Sequence, residues 1–128
     1  MHADANMDAA PQNQYVDLAV EVFSMLADPT RVRIILALRD AELSVNHLAD
    51  LVDRSPAAVS QHLAKLRMAR VVSTRQDAQR VFYRLTDEHA IQLVTDAIRQ
   101  AEHVVDDVPA HHRYVRPHAV ENEAVSRA

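Results

Sequence analysis

Three helix-start signals fall between Asp28 and Pro56, and they fix how the chain divides into elements. Asp28-Pro29 pairs a capping carboxylate with a proline at the first helical position. There the missing N–H costs nothing and φ is already helical. Ser55-Pro56 repeats the device, and Ser44 supplies a cap between them. The helix opened at Asp28 is expected to run to about Arg39, with Val32, Ile35, Leu36 and Leu38 apolar. A short helix follows over Val45 to Val52, and the turn Asp53-Arg54-Ser55-Pro56 leads into another over Pro56 to Met68. Val59, Leu63 and Leu66 mark the buried side of that last helix. Two short helices separated by a few residues form a helix-turn-helix pattern.

The flanks complete the architecture. Gln14 to Leu26 carries Val16, Ala19, Val20, Phe23 and Leu26 at helical spacing. Val71 to Gln76 and Arg80 to Leu85 read as strands around Asp77-Ala78-Gln79, a hairpin directly after the second short helix and hence a wing. Thr86 or Asp87 then caps a long helix to about Asp106, ended by Pro109. The predicted fold class is mainly α with a β-hairpin wing. Residues 1–13 are expected to be a disordered tail, 14–107 the winged domain, and 108–128 a histidine-containing tail.

The chain has no cysteine and no glycine. The first absence excludes disulfides and thiolate metal sites. The second excludes a phosphate-binding loop in its usual form and puts pressure on every tight turn. No apolar run is long enough for a membrane span, and the polar N-terminus lacks a signal-peptide core, so a cytoplasmic protein is expected. The formal charge is −4, yet Arg54 to Arg84 holds seven basic residues and one acidic, leaving the remainder at net −10. A basic block inside an acidic chain is either a solvated face or an electrostatic footprint for nucleic acid.

Side-chain chemistry favours the footprint. Ser60 and Gln61 can hydrogen-bond base edges in a major groove, with His62 assisting. Lys65, Arg67 and Arg70 are placed for phosphates at the helix end, Ser55 is a further candidate DNA contact, and Arg75 and Arg80 flank the wing tip. The partner expected is double-stranded operator DNA. The stretch from Phe23 through Ala27-Asp28-Pro29-Thr30-Arg31 to Leu36 resembles the opening of ArsR/SmtB-family repressors. So does Ser60-Gln-His-Leu-Ala-Lys-Leu-Arg, followed by a wing ending Val81-Phe-Tyr-Arg-Leu; the match covers about residues 15 to 107. The resemblance implies a winged helix-turn-helix homodimer, joined through its N- and C-terminal helices. It implies repression when metal-free and release of the operator on binding an inducer. The wing departs from the family pattern, whose tip usually carries glycine; Asp77 is expected to serve in its place, or the loop to be wider.

One family site uses cysteines in the first helix of the helix-turn-helix. Here that stretch reads Glu42-Leu43-Ser44-Val45-Asn46-His47, so the thiol site is not expected. The other family site lies on the C-terminal helix. His103 stands fourteen positions after His89, about 40° short of four full turns and ~21 Å along the axis. The two share a stripe but cannot share an ion within one helix. An antiparallel pair crossing near Asp96 brings His89 of one protomer to the partner's His103, and a two-fold axis makes two such sites.

The zinc version of this site uses Asp-x-His and then ligands eleven and fourteen residues after that histidine. Asp87, His89 and His103 fit, but Gln100 interrupts the set. Glu102 adjoins His103, and His111 and His112 follow. Nitrogen and oxygen donors in excess of four favour Ni(II) or Co(II), with Zn(II) possible. Resemblance to the actinobacterial nickel/cobalt sensors of the family implies ligands at His89, Glu102, His103, His111 and His112, with Asp87 a ligand or only a cap. Family members also couple the site to the DNA-reading helix through a ligand histidine at the position held here by Gln100. Ordering of residues 108–118 is the expected substitute.

An enzyme is the alternative of another class, but no nucleophile motif or HExxH is present. A metal-storage or chaperone protein would explain eight histidines but not the helix-turn-helix and wing. Within the repressor class the rival is a Zn(II)-responsive efflux regulator.

Overall fold

The computed structural model describes residues 10–107. Five helices and one hairpin follow in order: α1 (Val16–Leu26), α2 (Pro29–Ala37), α3 (Val45–Val52), α4 (Pro56–Met68), β1 (Val72–Asp77), β2 (Arg80–Leu85) and α5 (His89–Asp107). Each cap read from the sequence forms. Asp28 Oδ2 accepts the Arg31 N–H at 3.0 Å, Ser44 Oγ that of His47 at 3.3 Å, and Ser55 Oγ that of Ala58 at 3.1 Å. The bounds of α3 and α4 are those expected, whereas α2 stops at Ala37 rather than near Arg39. Of the segment expected to be a tail, residues 10–13 form a turn in which Asn13 N–H donates to the Ala10 carbonyl at 3.0 Å.

The core gathers around α2, which packs against all four other helices. Ile34, Ile35, Leu48, Val59, Leu63 and Leu66 are completely buried. At about 25 cal/mol per Å² of apolar surface, these side chains supply most of the drive for docking α2, α3 and α4. The wing is a two-stranded antiparallel sheet in register from Val72↔Leu85 to Asp77↔Arg80. Leu43, just before α3, adds a bridge to it: Leu43 N–H donates to Tyr83 O at 3.0 Å and Tyr83 N–H to Leu43 O at 2.8 Å. Nothing in the sequence pattern announces this tie between wing and helix-turn-helix.

Without glycine, three non-glycine residues among those described take positive φ: Asp53 (56°), Arg70 (61°) and Ala78 (56°). Asp53 and Arg70 end α3 and α4. Past each, an N–H reaches back into the helix, Arg54 to Ala49 O at 3.1 Å and Val71 to Leu66 O at 2.9 Å. This is the closing pattern that normally recruits glycine. At the wing tip the left-handed position falls on Ala78, not Asp77. Asp77 still pairs with Arg80, so the loop is the two residues Ala78-Gln79.

Candidate nucleic-acid interface and metal site

The α3–α4 pair presents one side of α4 outward. Ser60, Gln61, Lys65 and Arg67 are exposed there, opposite the buried Val59, Leu63 and Leu66. Lys65 and Arg67 stand in the last turn of α4, where the helix dipole favours cations. Ser55 is exposed, but its hydroxyl is engaged as the cap of the same helix. His62 behaves differently. Its ring is half-buried and accepts the Arg31 Nε–H at Nδ1, 3.1 Å away, with Asp28 Oδ2 at 3.8 Å from the same nitrogen.

On the wing, Arg80 is exposed beside the tip. Arg75 is held along the sheet: its Nε donates to Glu42 Oε1 at 2.8 Å, its Nη1 lies 3.9 Å from Asp77 Oδ2, and its guanidinium sits 5.0 Å from the Phe82 ring centre. In the sequence Glu42 is only part of a lost thiol motif. Its position one residue before the Leu43–Tyr83 bridge makes it a brace between wing and α3.

On α5, His89 is the first helical residue and His103 lies fourteen positions on, both exposed. Asp87 Oδ1 accepts the His89 N–H at 2.9 Å, so Asp87 does cap the helix. Glu102 is exposed next to His103, and Gln100 is exposed a turn earlier. Among the described residues, no three histidine or carboxylate side chains of one chain come close enough to hold an ion. Asp106 shares a hollow with Ile98, Ala101, Glu102, His103 and Val105, one turn beyond Glu102. It is an oxygen donor the sequence reading passed over, although its spacing from Glu102 and His103 could have disclosed it. His111 and His112 lie outside the described residues.

Among the described residues, the apolar stripe of α1 finds little cover. Val16, Leu18, Val20 and Phe23 stay exposed, Phe23 by 57%, as do Leu93, Ile98, Val104 and Val105 on α5. Between the two helices runs an apolar groove of about 470 Å³, lined by Phe23, Leu26, Val32, Leu93, Ala97 and Ile98 among others.

Comparison with known proteins decides the family. Residues 28–74 match the model of "Bacterial regulatory protein, arsR family". The HTH-type transcriptional regulator KmtR of Mycobacterium tuberculosis (strain ATCC 25618 / H37Rv) is 55% identical over 113 residues, 88% of this chain and 86% of KmtR. The chain belongs to the arsR family. The HTH-type transcriptional repressor SmtB of Mycobacterium tuberculosis (strain CDC 1551 / Oshkosh) is 38% identical over 93 residues, covering 73% of this chain and 69% of SmtB. Among solved structures, NolR from Sinorhizobium fredii superposes with a TM-score of 0.63 at 34% identity, over 69% of this chain and 89% of NolR. The arsR-family chain is therefore a winged-helix transcriptional regulator and not an enzyme, as its sequence led us to expect. No helix among the described residues is long and apolar enough to cross a membrane.

Proposed function

We propose that this arsR-family chain is a metal-responsive repressor. It binds operator DNA as a homodimer when metal-free and releases it on binding Ni(II) or Co(II), freeing a metal-efflux gene for transcription. The observation that carries the reading is the pairing of two features on one scaffold. α4 offers exposed Ser60 and Gln61 between a buried helix face and the cations Lys65 and Arg67. α5 separates exposed His89 and His103 by fourteen of its nineteen residues.

Operator contact divides by chemistry. Ser60 and Gln61 reach base edges, while Lys65, Arg67, Arg80 and the N-terminal end of α4 at Ser55 meet phosphates. Arg75 joins them when it leaves Glu42. The second protomer packs on the apolar groove of α1 and α5, covering Phe23 and Leu93.

The donor set fits a borderline, nitrogen- and oxygen-preferring ion. His89, Glu102 and His103, with Asp87 through its second oxygen and His111 and His112 from the segment after α5, supply imidazole and carboxylate without thiol. A bound divalent cation supplies a bond linking donors from two protomers. The chain's own residues do the rest: His89 drawn to the partner's His103 fixes the angle between the two α5 helices. Reading helices that must sit ~34 Å apart on successive turns of DNA tolerate little change in that angle.

The test is operator affinity of the full chain on the DNA upstream of its own gene, titrated with Ni(II), Co(II) and Zn(II). Ni(II) or Co(II) at stoichiometric levels weakens binding, and His89→Ala or His103→Ala keeps binding but abolishes the response. Mixing the two variants restores one complete site per heterodimer, hence half the metal stoichiometry. Indifference to all three ions refutes the sensor reading, and a stronger effect of Zn(II) favours the zinc efflux regulator.

A further inference from the structure

Sequence reasoning places His62 among the groups that read DNA, but its ring faces the protein. Its neighbours along α4 are Leu63, fully buried, and Gln61, exposed, so the residue sits on the flank of the helix. Arg31, in the first turn of α2, donates from Nε to His62 Nδ1 at 3.1 Å. The same guanidinium donates through Nη1 to the Met25 carbonyl at 3.3 Å, with Met25 Sδ at 3.7 Å. Met25 lies in the last turn of α1, where carbonyls lack helical partners and a cation is favoured. Below them, Asp28 Oδ2 caps α2 through the Arg31 N–H at 3.0 Å. One side chain thus ties α4 to both α1 and α2.

We propose that His62 and Arg31 form a positioning pair: they set the angle at which α4 is presented to DNA, and His62 does not read a base. The inference rests on the operator-binding reading above. Its chemistry is directional. Guanidinium only donates, so Nδ1 must carry a lone pair and the ring proton of neutral His62 sits on Nε2. Protonation puts an N–H at Nδ1, facing the Arg31 cation. The acceptor is lost, and the ring's favourable partner becomes Asp28, 3.8 Å away. The charged groups recorded against the ring are Arg31 and Asp28, both at the start of α2. Protonated His62 therefore exchanges a tie to α1 and α2 together for one to the start of α2 alone. Because α1 carries part of the exposed apolar face, the pair links the DNA-reading helix to the side on which a second protomer packs.

The experiment measures operator affinity of the full chain by fluorescence anisotropy, for wild type, His62→Ala, Arg31→Gln, the double variant and His62→Asn. At neutral pH the His62→Ala and Arg31→Gln variants each lose about tenfold in affinity, the scale of one hydrogen bond to a charged group. The double variant loses no more than either, since the pair acts as a unit. The asparagine amide can accept from Arg31 through its Oδ1 without titrating, so His62→Asn stays near wild type and melts at the wild-type temperature. Across single-base operator variants, all the substituted proteins keep the wild-type order of preference. Additive losses, failure of His62→Asn to restore affinity, or relaxed discrimination at one base pair alone each overturn the proposal. Failure of wild type to bind any upstream fragment overturns the repressor reading instead, and this inference with it.

Discussion

Ala78 offers a direct test of how a chain without glycine closes its wing. With φ at 56°, its Cβ lies in the left-handed region, at a cost of about 1–2 kcal/mol for an L-residue. Asp53 and Arg70 share the sign of φ, but each ends a helix whose returning N–H bonds depend on that geometry. Ala78 ends no helix; a 3.4 Å bond from Gln76 Nε2 reaches its carbonyl. Ala78→Gly relieves the crowding and adds about 0.4–1 kcal/mol of unfolded-chain entropy. The net is a stabilisation of roughly 0.5–1 kcal/mol, a rise in Tm of about 2–6 °C for a domain of this size. The assay is a thermal melt at one fixed protein concentration, because a dimer's Tm moves with concentration. Gln79→Gly is the control. Gln79 is not a positive-φ residue, so glycine there only adds flexibility and lowers Tm by the equivalent of roughly 0.5–1 kcal/mol. A Tm at or below wild type for Ala78→Gly, or the same shift for both variants, refutes the strain argument.

Other perturbations address the core, the wing brace and the apolar groove. Leu63→Ala empties a fully buried position and lowers stability by about 2–5 kcal/mol in guanidinium unfolding; a loss under about 1 kcal/mol would mean α4 is not seated as described. Glu42→Gln removes the 2.8 Å partner of Arg75 and steepens the log–log salt dependence of operator binding by about 0.9 per protomer as Arg75 turns to phosphate. An unchanged slope shows that Phe82 and Asp77 suffice to hold it. Phe23→Asp places a charge at an exposed apolar position on α1 and yields a monomer by light scattering; an unaltered dimer puts the interface elsewhere.

Most of the fold was legible because its boundaries are written in local chemistry. Asp28-Pro29, Ser44 and Ser55-Pro56 determine helix starts through bonds made within three residues, so the sequence alone locates α2, α3 and α4. The strand-forming run Val81-Phe82-Tyr83 in β2 is likewise a local signal. What escaped was set by distance. The Leu43–Tyr83 bridge joins residues far apart in sequence, and nothing in Glu42-Leu43-Ser44 announces a strand contact. The orientation of His62 depends on Arg31, thirty-one residues earlier. Helical phase alone put it beside Ser60 and Gln61, because a residue on the flank of a helix can turn either way. The glycine deficit showed that some turn must be strained, but which residue carries positive φ depends on register, and register placed Asp77 in the last rung.

The proposed sensing and reading helices communicate through α2. It touches α1 and α5, where the second protomer would pack, and it touches α3 and α4, which would meet DNA. Ile34 and Ile35 within it are completely buried. A close-packed interior passes displacement on rather than absorbing it, since it has few voids into which side chains can yield. A change in the crossing of two α5 helices must therefore move α2 against α4 or be resisted by the core. The resemblance to the family puts a coupling histidine where Gln100 stands here, so the proposed coupling is better sought in the packed frame than in that hydrogen bond. What α2 does offer is the first-turn Arg31, joined to α1 at Met25 and to α4 at His62. In the proposed dimer, rotation of α1 would shift the Met25 carbonyl, and the guanidinium could not follow it without changing its hold on His62. The proposed coupling between metal and operator would then need no dedicated wire from the metal site. It needs only that the rigid frame carrying Arg31 have two arrangements, of which the metal-free one presents α4 squarely to the groove.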